Sequence, residues 1–502
     1  MKHILVLGAG KSATVLIEYL IRRAPEDNTH VHVADLDPDL CREKIGGLPH
    51  ATPHRIIPED PAHTFSLINT ADLVISMLPP PLHAGIARDC LRAGCHFLNA
   101  SYLSEELLGL DADARARGLT FLCELGLDPG IDHMSAMELI DGIRSEGGQI
   151  NLFRSHCGGL IAPECDDNPW HYKISWNPRN VVMAGKDGAV YRDAGKIRKV
   201  SYAELFDPVR TVEIPGLGRY AWYPNRDSLS YLHTYGLEDV DTFVRTTLRH
   251  PDFCFGWRNI IQLGLTDDDV RYDTNGMSLS SFFQIHFDRF GFSDWLQRTI
   301  SDSFMQTSTH LQDLIRLLEA DSLRSGEERA QDRIMLVDEA GDLRDWSKHG
   351  AHQAATAGIA HRMHEAKLSL SQLFFLGLDS AEMIDQGDRS AAWILQWIIE
   401  KRLALKDRDR DMIVMMHEVG YKRSGQAWHA ESSLILKGDD QRHTAMARTV
   451  GLPLAIAARA ILNGSLKMPG VHIPVSANIY RPLLRELERE GIRFVHNLRR
   501  KD

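Results

Sequence analysis

Residues 2–13 read Lys2-His3-Ile4-Leu5-Val6-Leu7-Gly8-Ala9-Gly10-Lys11-Ser12-Ala13. Ile4 to Leu7 is an unbroken apolar run, the pattern of a strand covered on both faces in a parallel sheet. The strand runs straight into a G-x-G-x-x-A turn. Gly8 makes the tight bend, Gly10 lets a pyrophosphate approach the backbone, and the small Ala13 allows close helix–strand packing. Lys11 and Ser12 open a helix, Thr14 to Arg23, whose unpaired N–H groups face the phosphates. Val31 to Ala34 reads as the second strand, and Asp35 ends it, 27 residues after Gly8. An acid at that place bonds both ribose hydroxyls and repels a 2′-phosphate, which predicts NAD, with NADP as the alternative. A P-loop reading of Gly10-Lys11-Ser12 fails, because Leu5 stands where that motif requires glycine.

Outward from this turn the strand–helix alternation continues. Leu73 to Met77 is a strand ended by Pro79-Pro80-Pro81, and Leu82 to Ala93 is a helix stopped by Gly94. His96 to Asn99 and Thr120 to Cys123 are short strands around a helix from Glu105 to Arg117. The fold class is α/β, a Rossmann-like doubly wound sheet. From Gln149 to Arg249 short strands, Asn151 to His156 and Asn180 to Met183 among them, predict an α+β sheet domain. From Asp252 to Ile399 strand signals nearly vanish. Leu311, Leu314, Ile315 and Leu318 sit at helical spacing before the charged stretch 319–332, which predicts a helical insertion. Strands return at Met412 to Glu418 and Ser432 to Leu436, followed by helices Thr444 to Leu462 and Asn478 to Glu490.

Composition narrows the function classes. In 502 residues, 43% are hydrophobic and 25% charged, which excludes wholesale disorder. The net charge of −11 argues against nucleic-acid or anionic-membrane partners. No apolar run reaches the roughly 18 residues of a spanning helix. Seven dispersed cysteines with no C-x-x-C point to reduced thiols and a cytoplasmic location, with neither a disulfide scaffold nor a zinc site expected. His349-x-x-His352 and His361-x-x-His364 read as solvated helix faces and not as a metal centre. Lys406-Asp407-Arg408-Asp409-Arg410-Asp411 reads as a solvated charge run.

Several further stretches resemble one family. Glu124-Leu125-Gly126-Leu127-Asp128-Pro129-Gly130-Ile131-Asp132-His133 is similar to the signature of the saccharopine reductases, the glutamate-forming saccharopine dehydrogenases. Ser101-Tyr102-Leu103-Ser104, Cys157-Gly158-Gly159-Leu160, Asp167-Asn168-Pro169 with Tyr172-Lys173, Tyr223-Pro224-Asn225-Arg226-Asp227-Ser228 and Val244 to Arg249 agree in order. The resemblance implies three parts: a dinucleotide-binding domain (1–132), an α/β substrate and dimerisation domain (133–251 with 411–502), and a mostly helical insertion (252–410). It also implies a homodimer and oxidation of saccharopine with NAD(P)+ and water to L-glutamate and 2-aminoadipate 6-semialdehyde, or the reverse, in lysine metabolism. Substrate contacts implied are Ser101, Tyr102, Asp128, Arg226, Thr247, Leu248 and Arg249. Cofactor contacts implied are the loop Gly8, Gly10, Lys11, Ser12 and Ala13, then Asp35, Leu36, Ile75, Asn99, Ala100, Leu127, Asp128, Pro129 and Trp176. NADP-using members carry Cys-Arg-Thr after the second strand. Here Asp35-Leu36-Asp37 stands in that place, which reinforces the NAD expectation.

The chemistry constrains the site further. A substrate with three carboxylates needs fixed cations, and Arg226, Arg249 and Lys173 are the candidates, each with surface or interdomain ion pairing as its bland alternative. Hydride leaves the carbon beside a secondary amine only after that amine has lost its proton. Asp128 can accept the proton or bind the substrate ammonium; an Asx turn at Asp-Pro-Gly is its structural alternative. Tyr102 and Cys157 are further candidates, Cys157 being equally a buried small hydrophobe. Two other readings stay open: a related dehydrogenase acting on lysine or a carboxylated polyamine, and a non-catalytic cofactor-sensing scaffold.

Overall fold

The computed structural model describes residues 1–291, 333–337, 343–347 and 365–500. The chain forms two compact units, one of Met1–Asp167, His171–Phe255 and Leu403–Asp502, the other of Asn168–Trp170 and Gly256–Arg402.

In the first unit, one sheet has seven strands, all parallel to their neighbours. They run in the order Gly470–His472, Thr120–Leu122, His96–Asn99, Leu73–Ser76, Lys2–Leu7, Thr29–Asp35, Ala51–Arg55. Strand order reverses between Lys2–Leu7 and Leu73–Ser76. Such a reversal opens a crevice at the carboxyl edge, where open α/β sheets take ligands. Both faces are covered. Leu5, Leu7, Val74, Phe97 and Phe121 pack on one side, and Ile4, Val6, Val33, Ile75 and Leu98 on the other. That double burial is the cause of the continuous apolar runs. Two strands lack such a signal. Ala51–Arg55 carries Thr52, Pro53 and His54, and Gly470–His472 is recruited from the far end of the chain.

The helix Ala445–Leu462 starts at Thr444, whose hydroxyl accepts the Ala447 N–H at 2.9 Å. Among the described residues it alone is long and apolar enough to cross a membrane, yet it packs inside the unit against the helix Thr14–Asp27. An added Cβ at Gly451 would lie 2.8 Å from the Leu16 nitrogen, so glycine sets how closely these helices approach.

The second sheet of this unit runs Thr211–Ile214, Gly218–Pro224, Thr242–Arg249, Gln149–Ile161, Asp411–Arg423, Gln426–Lys437, Val495–Arg500. Thr242–Arg249 and Gln149–Ile161 are parallel, and the other neighbours along this path are antiparallel. Ile131, Met134 and Ile140 of the helix Ile131–Ser145 share a core with Phe153, Ile413 and Met415 of this sheet. The second unit is built on the helices Leu279–Phe290 and Ala391–Arg402, with an antiparallel pair Arg271–Asp273/Asp388–Ser390 and a hairpin Arg333–Val337/Leu343–Ser347. Its His286 is buried, 2.7 Å from both the Tyr272 hydroxyl and the Leu263 carbonyl.

Three sequence expectations change. Asn180 to Met183 lies in a helix, Pro178–Val182, not a strand: Asn177 accepts the Arg179 N–H and Pro178 supplies the first helical φ. The stretch Glu105 to Arg117 is two short helices, Glu105–Leu108 and Asp111–Ala116, parted at Gly109-Leu110. Strands also occur inside the helical insertion. Leu311, Leu314, Ile315, Leu318, the stretch 319–332 and the histidines His349, His352, His361 and His364 lie outside the described residues.

A histidine ladder crosses three strands of the first sheet. His3 Nδ1 lies 3.0 Å from His32 Nε2, and His32 Nδ1 lies 2.9 Å from His54 Nε2. Burial, then repulsion from His54, His30 and His3, pushes His32 down to about 4. Burial first also lowers His30 and His54. A folded value below the unfolded one means the unfolded chain takes up protons first. The ladder's contribution is therefore complete above the unfolded value near 6.5 and is lost as pH falls from there toward 4. The melting temperature should fall as the pH drops below 6.5, and His32→Gln should make that fall shallower. Equal slopes for the two proteins would show that the ladder does not govern it.

Candidate active site

The glycine loop has the shape a dinucleotide needs. Gly8 has φ +101° and its missing Cβ would sit 3.0 Å from the Met77 carbonyl oxygen, whereas a Cβ on Gly10 would meet nothing within 4 Å. The bend is thus packed from below and open above, the arrangement that admits a pyrophosphate. Lys11, Ser12 and the buried Ala13 form a short 3₁₀ turn leading into the helix Thr14–Asp27. Asp35 turns inward. Its Oδ2 accepts the Ala9 N–H at 2.7 Å and its Oδ1 the Asp37 N–H at 3.2 Å. Leu36 is exposed beside it. In register with Asp35 on the next strand lies Arg55. Lys11 and Arg55 make no ion pair among the described residues, so two uncommitted cations stand at this strand edge. These residues fit a phosphorylated dinucleotide. Ile75 lies buried in the neighbouring strand, Asn99 Oδ1 accepts the Ser101 N–H at 3.1 Å, and the Cβ of Ala100 would lie 3.0 Å from a Cβ at Gly126.

Gly126 to Gly130 folds tightly on itself. Gly126 N–H donates to the Pro129 carbonyl at 2.9 Å, and a Cβ on Gly130, whose φ is +148°, would fall 2.1 Å from the Gly126 oxygen. Leu127 and Pro129 belong to this loop, and it delivers Asp128 to a buried cluster. Arg245, on the strand Thr242–Arg249, donates through Nη2 to Asp128 Oδ1 at 2.6 Å and to Asp132 Oδ2 at 2.7 Å. Tyr102 and Tyr231 lie under its guanidinium, 5.9 and 4.5 Å from it. Burial, reinforced by the neighbouring Asp132 charge, pushes Asp128 up to about 6. The Tyr102 hydroxyl reaches Asp128 Oδ1 at 3.5 Å and accepts from Asn225 Nδ2 at 3.4 Å. Arg226, in the left-handed region at φ +52°, holds its guanidinium 5.2 Å from the Tyr102 ring. It makes no ion pair among the described residues; its neighbour Asp227 instead accepts the Leu229 N–H. Asp128, Tyr102 and Arg226 thus come together.

Other expected residues lie elsewhere or in different roles. Lys173 is buried and paired at 2.7 Å with both Asp167 and Asp409. Arg249 donates to the Leu248 carbonyl at 2.8 Å, and its guanidinium lies 5.1 Å from the Tyr172 ring. Thr247 aligns with Cys157 across the parallel pair. Leu248 buries its side chain in a separate core cluster beside Gly158. Burial, then the charges of Asp128 and Asp132, pushes the Cys157 thiol up, so it stays protonated. Trp176 donates to the Tyr172 hydroxyl at 3.0 Å.

The sequence reading missed Arg245, Asp132, Glu124 and His133, and also His83. Glu124 accepts from the Leu103 N–H, from the Tyr231 hydroxyl, and contacts His133 Nε2 at 2.8 Å. His83 joins Ser76 Oγ to Ser101 Oγ, both at 2.9 Å, and burial lowers it to about 4, so it remains a neutral hydrogen-bonding link. The signal available for Asp132, Glu124 and His133 was the acidic and histidine content of residues 124–133. None of it named Arg245 as the partner.

Comparisons with known proteins agree with this geometry. Residues 126–492 match the family model described as the saccharopine dehydrogenase C-terminal domain, and residues 4–122 match the saccharopine dehydrogenase NADP binding domain. The chain is 31% identical over 502 residues to the mitochondrial alpha-aminoadipic semialdehyde synthase of Bos taurus, covering 98% of this chain but 47% of that protein. It therefore spans about half the length of that relative. It is 29% identical over 495 residues to the saccharopine dehydrogenase [NADP(+), L-glutamate-forming] of Saccharomyces cerevisiae, covering 97% of each. The apo structure of saccharopine dehydrogenase (L-Glu forming) from Saccharomyces cerevisiae superposes with a TM-score of 0.76 at 26% identity, over 99% of this chain and 100% of that one. These findings correct the expected cofactor, NAD. The matching domain is NADP binding, and the yeast relative is named for NADP(+). The physical reason is on the strand edge: the Asp35 carboxylate is engaged by two backbone N–H groups, and Arg55 stands beside it.

Arg245→Met would leave two buried carboxylates without their shared cation, at a cost of about 3–5 kcal/mol. Urea unfolding should show a loss of that size, with Arg245→Lys recovering part of it. A change below ~1 kcal/mol would mean that Arg245 does not hold the cluster.

Proposed function

The chain belongs to the saccharopine dehydrogenase family, and from that premise we propose that it oxidises saccharopine with NADP+ and water to L-glutamate and 2-aminoadipate 6-semialdehyde, or runs the reverse reaction, in lysine metabolism. The observation that carries this reading is Asp128: a carboxylate pushed up to about 6, fixed through Oδ1 by Arg245 and set beside the carboxyl edge of the dinucleotide sheet. When bound, the nicotinamide accepts a hydride.

The chain's own residues then have these tasks. Asp128 takes the proton of the secondary amine on Oδ2, the oxygen that carries no hydrogen bond among the described residues. With that proton gone, the nitrogen lone pair forms the C=N bond as hydride departs from the adjacent carbon. Water adds to this C=N, and the C–N bond breaks to give the aldehyde and the amine of glutamate. Arg226 presents an uncommitted fork for a substrate carboxylate. The Tyr102 ring keeps that fork and Arg245 apart on an aromatic surface. The Ser76–His83–Ser101 chain fixes the Ser101 hydroxyl. Lys11 and Arg55 would receive the cofactor's phosphates.

The test is absorbance at 340 nm with NADP+ or NAD+ and a panel of saccharopine, lysine and carboxynorspermidine. Saccharopine should turn over, faster with NADP+. Turnover of lysine or the polyamine alone would overturn the assignment. The proton step gives a second test. Protonated Asp128 accepts nothing, so kcat should rise as pH climbs through about 6 and level off above it. Asp128→Asn should lower kcat by roughly 10²-fold or more and abolish that limb. An unchanged limb in the variant would assign it to another group.

A further inference from the structure

Glu124 has no part in the reaction as described, yet its contacts converge on the residues around Asp128. It follows the strand Thr120–Leu122, and its side chain is 4% exposed. Its backbone N–H donates to the Ser101 carbonyl at 3.0 Å, and its Oε1 accepts the Leu103 N–H at 2.9 Å. The two peptide groups on either side of Tyr102 are therefore held by one residue. Oε2 accepts the Tyr231 hydroxyl at 2.9 Å and lies 2.8 Å from Nε2 of the buried His133, whose Nδ1 is 2.5 Å from the Tyr235 hydroxyl.

Three observations set Glu124 apart from an ordinary buried acid. Residues 100–103 lie between the strand His96–Asn99 and the helix Glu105–Leu108 and belong to neither, so their backbone groups must find partners outside a ladder. Glu124 is held in the left-handed region, at φ +53°, a conformation that a residue with a β-carbon adopts only under local constraint. The two rings it holds are the ones that face the site's cations. Tyr102 lies 5.2 Å from the Arg226 guanidinium and 5.9 Å from that of Arg245, and Tyr231 lies 4.5 Å from the latter. Against the penalty of burial, His133, the Leu103 N–H and the Tyr231 hydroxyl hold the Glu124 carboxyl below the usual carboxylate range, so it stays ionised.

We propose that Glu124 is the positioning residue of this site: through the peptide groups beside Tyr102 and the hydroxyl of Tyr231 it fixes the aromatic surface facing Arg226 and Arg245 and sets the Tyr102 hydroxyl against Asp128. Its importance for catalysis rests on the proposed oxidation of saccharopine; its hold on Tyr102 does not. Burial and the Asp132 charge favour protonated Asp128, whereas Arg245, His133 and the Tyr102 hydroxyl favour the ionised form. Tyr235 and the Cys157 thiol are the other titratable groups that face it. Withdrawing the Glu124 carboxylate frees the Tyr102 segment and weakens a bond to ionised Asp128, so Asp128 then titrates at higher pH.

The experiment follows Asp128 by infrared titration of the ligand-free full chain, reading the carboxyl band that Asp128→Asn removes. The wild-type band should titrate near about 6. Glu124→Asp keeps the charge and shortens the reach by one methylene; it should raise the midpoint by about half a unit or more. Tyr102→Phe should raise it as well, and in that background Glu124→Asp should add nothing. If Glu124→Asp does not fold, the isosteric Glu124→Gln takes its place. Loss of charge then contributes equally in both backgrounds, and the difference between them should persist. A folded variant with the wild-type midpoint, or an equal shift with and without the Tyr102 hydroxyl, overturns the inference and leaves Glu124 a support of the fold alone. With saccharopine, Glu124→Asp should lower kcat roughly 10-fold or more, while the Kd for NADP+ stays unchanged. Wild-type kcat in the variant overturns the catalytic role. No turnover of saccharopine by the wild-type chain refutes the proposed reaction instead, and the infrared titration still decides what Glu124 holds.

Discussion

One guanidinium organises the active-site region. Arg245 is buried within a strand of the second sheet and bonded to carboxylates from the loop and helix that follow the first. Burying three charges is tolerable only when they meet in close, hydrogen-bonded contact, because each isolated ion would cost several kcal/mol of lost hydration. The demand works both ways. Arg245 cannot sit in that strand without the Gly126–Gly130 loop folding against it, and the loop cannot place Asp128 and Asp132 there without Arg245. The cluster therefore fixes how the substrate-side sheet registers against the carboxyl edge of the dinucleotide sheet, within the one unit that holds both.

The glycines of the loop follow from the same constraint. To bring residues 128 and 132 to one cation, the chain must reverse within a few residues. Gly130 backs onto Gly126 at a distance where no side chain fits. At the other edge of the crevice, Gly8 backs onto the Met77 carbonyl in the same way. The Gly8 loop leaves its strand at the point where the order reverses, and the Gly126–Gly130 loop follows Thr120–Leu122, two strands beyond Leu73–Ser76 on the same carboxyl edge. The position of the site is thus a consequence of topology, and its chemistry of what the loops carry.

Much of this was legible in residue order. Ile4–Leu7, Leu73–Ser76 and the glycine loop announce a doubly wound sheet because burial on two faces leaves no room for alternation. Asp128, Tyr102 and Arg226 were named and do converge. What stayed hidden was pairwise and long-range. Arg245 reads as one residue of a strand, and its partners lie 117 and 113 positions earlier. The edge strands Ala51–Arg55 and Gly470–His472 carry little apolar signal, since an edge is covered on fewer sides. The cofactor expectation failed for the same reason. Asp35 was read by its charge alone, while its backbone donors and the arginine on the adjacent strand appear only when the sheet is assembled.

The two carboxylates on Arg245 show why composition cannot assign roles. Asp132 shares the cation but also accepts the Gly130 N–H at 2.6 Å, and His133 lies 3.8 Å away. Against the penalty of burial, His133 and Arg245 hold it below the usual carboxylate range. Asp128 has the same cation with only the Tyr102 hydroxyl in addition, and there burial prevails. Environment thus separates two neighbouring acids into one that stays ionised as a structural anchor and one poised near the pH at which protons are exchanged. The anchor keeps Arg245 charged and in place, so each proton taken up by Asp128 changes the charge facing the substrate without dismantling the cluster. A lone carboxylate on the same loop would lack that buffer. Its protonation would leave Arg245 as an uncompensated buried cation, and the geometry would shift just when it has to be held.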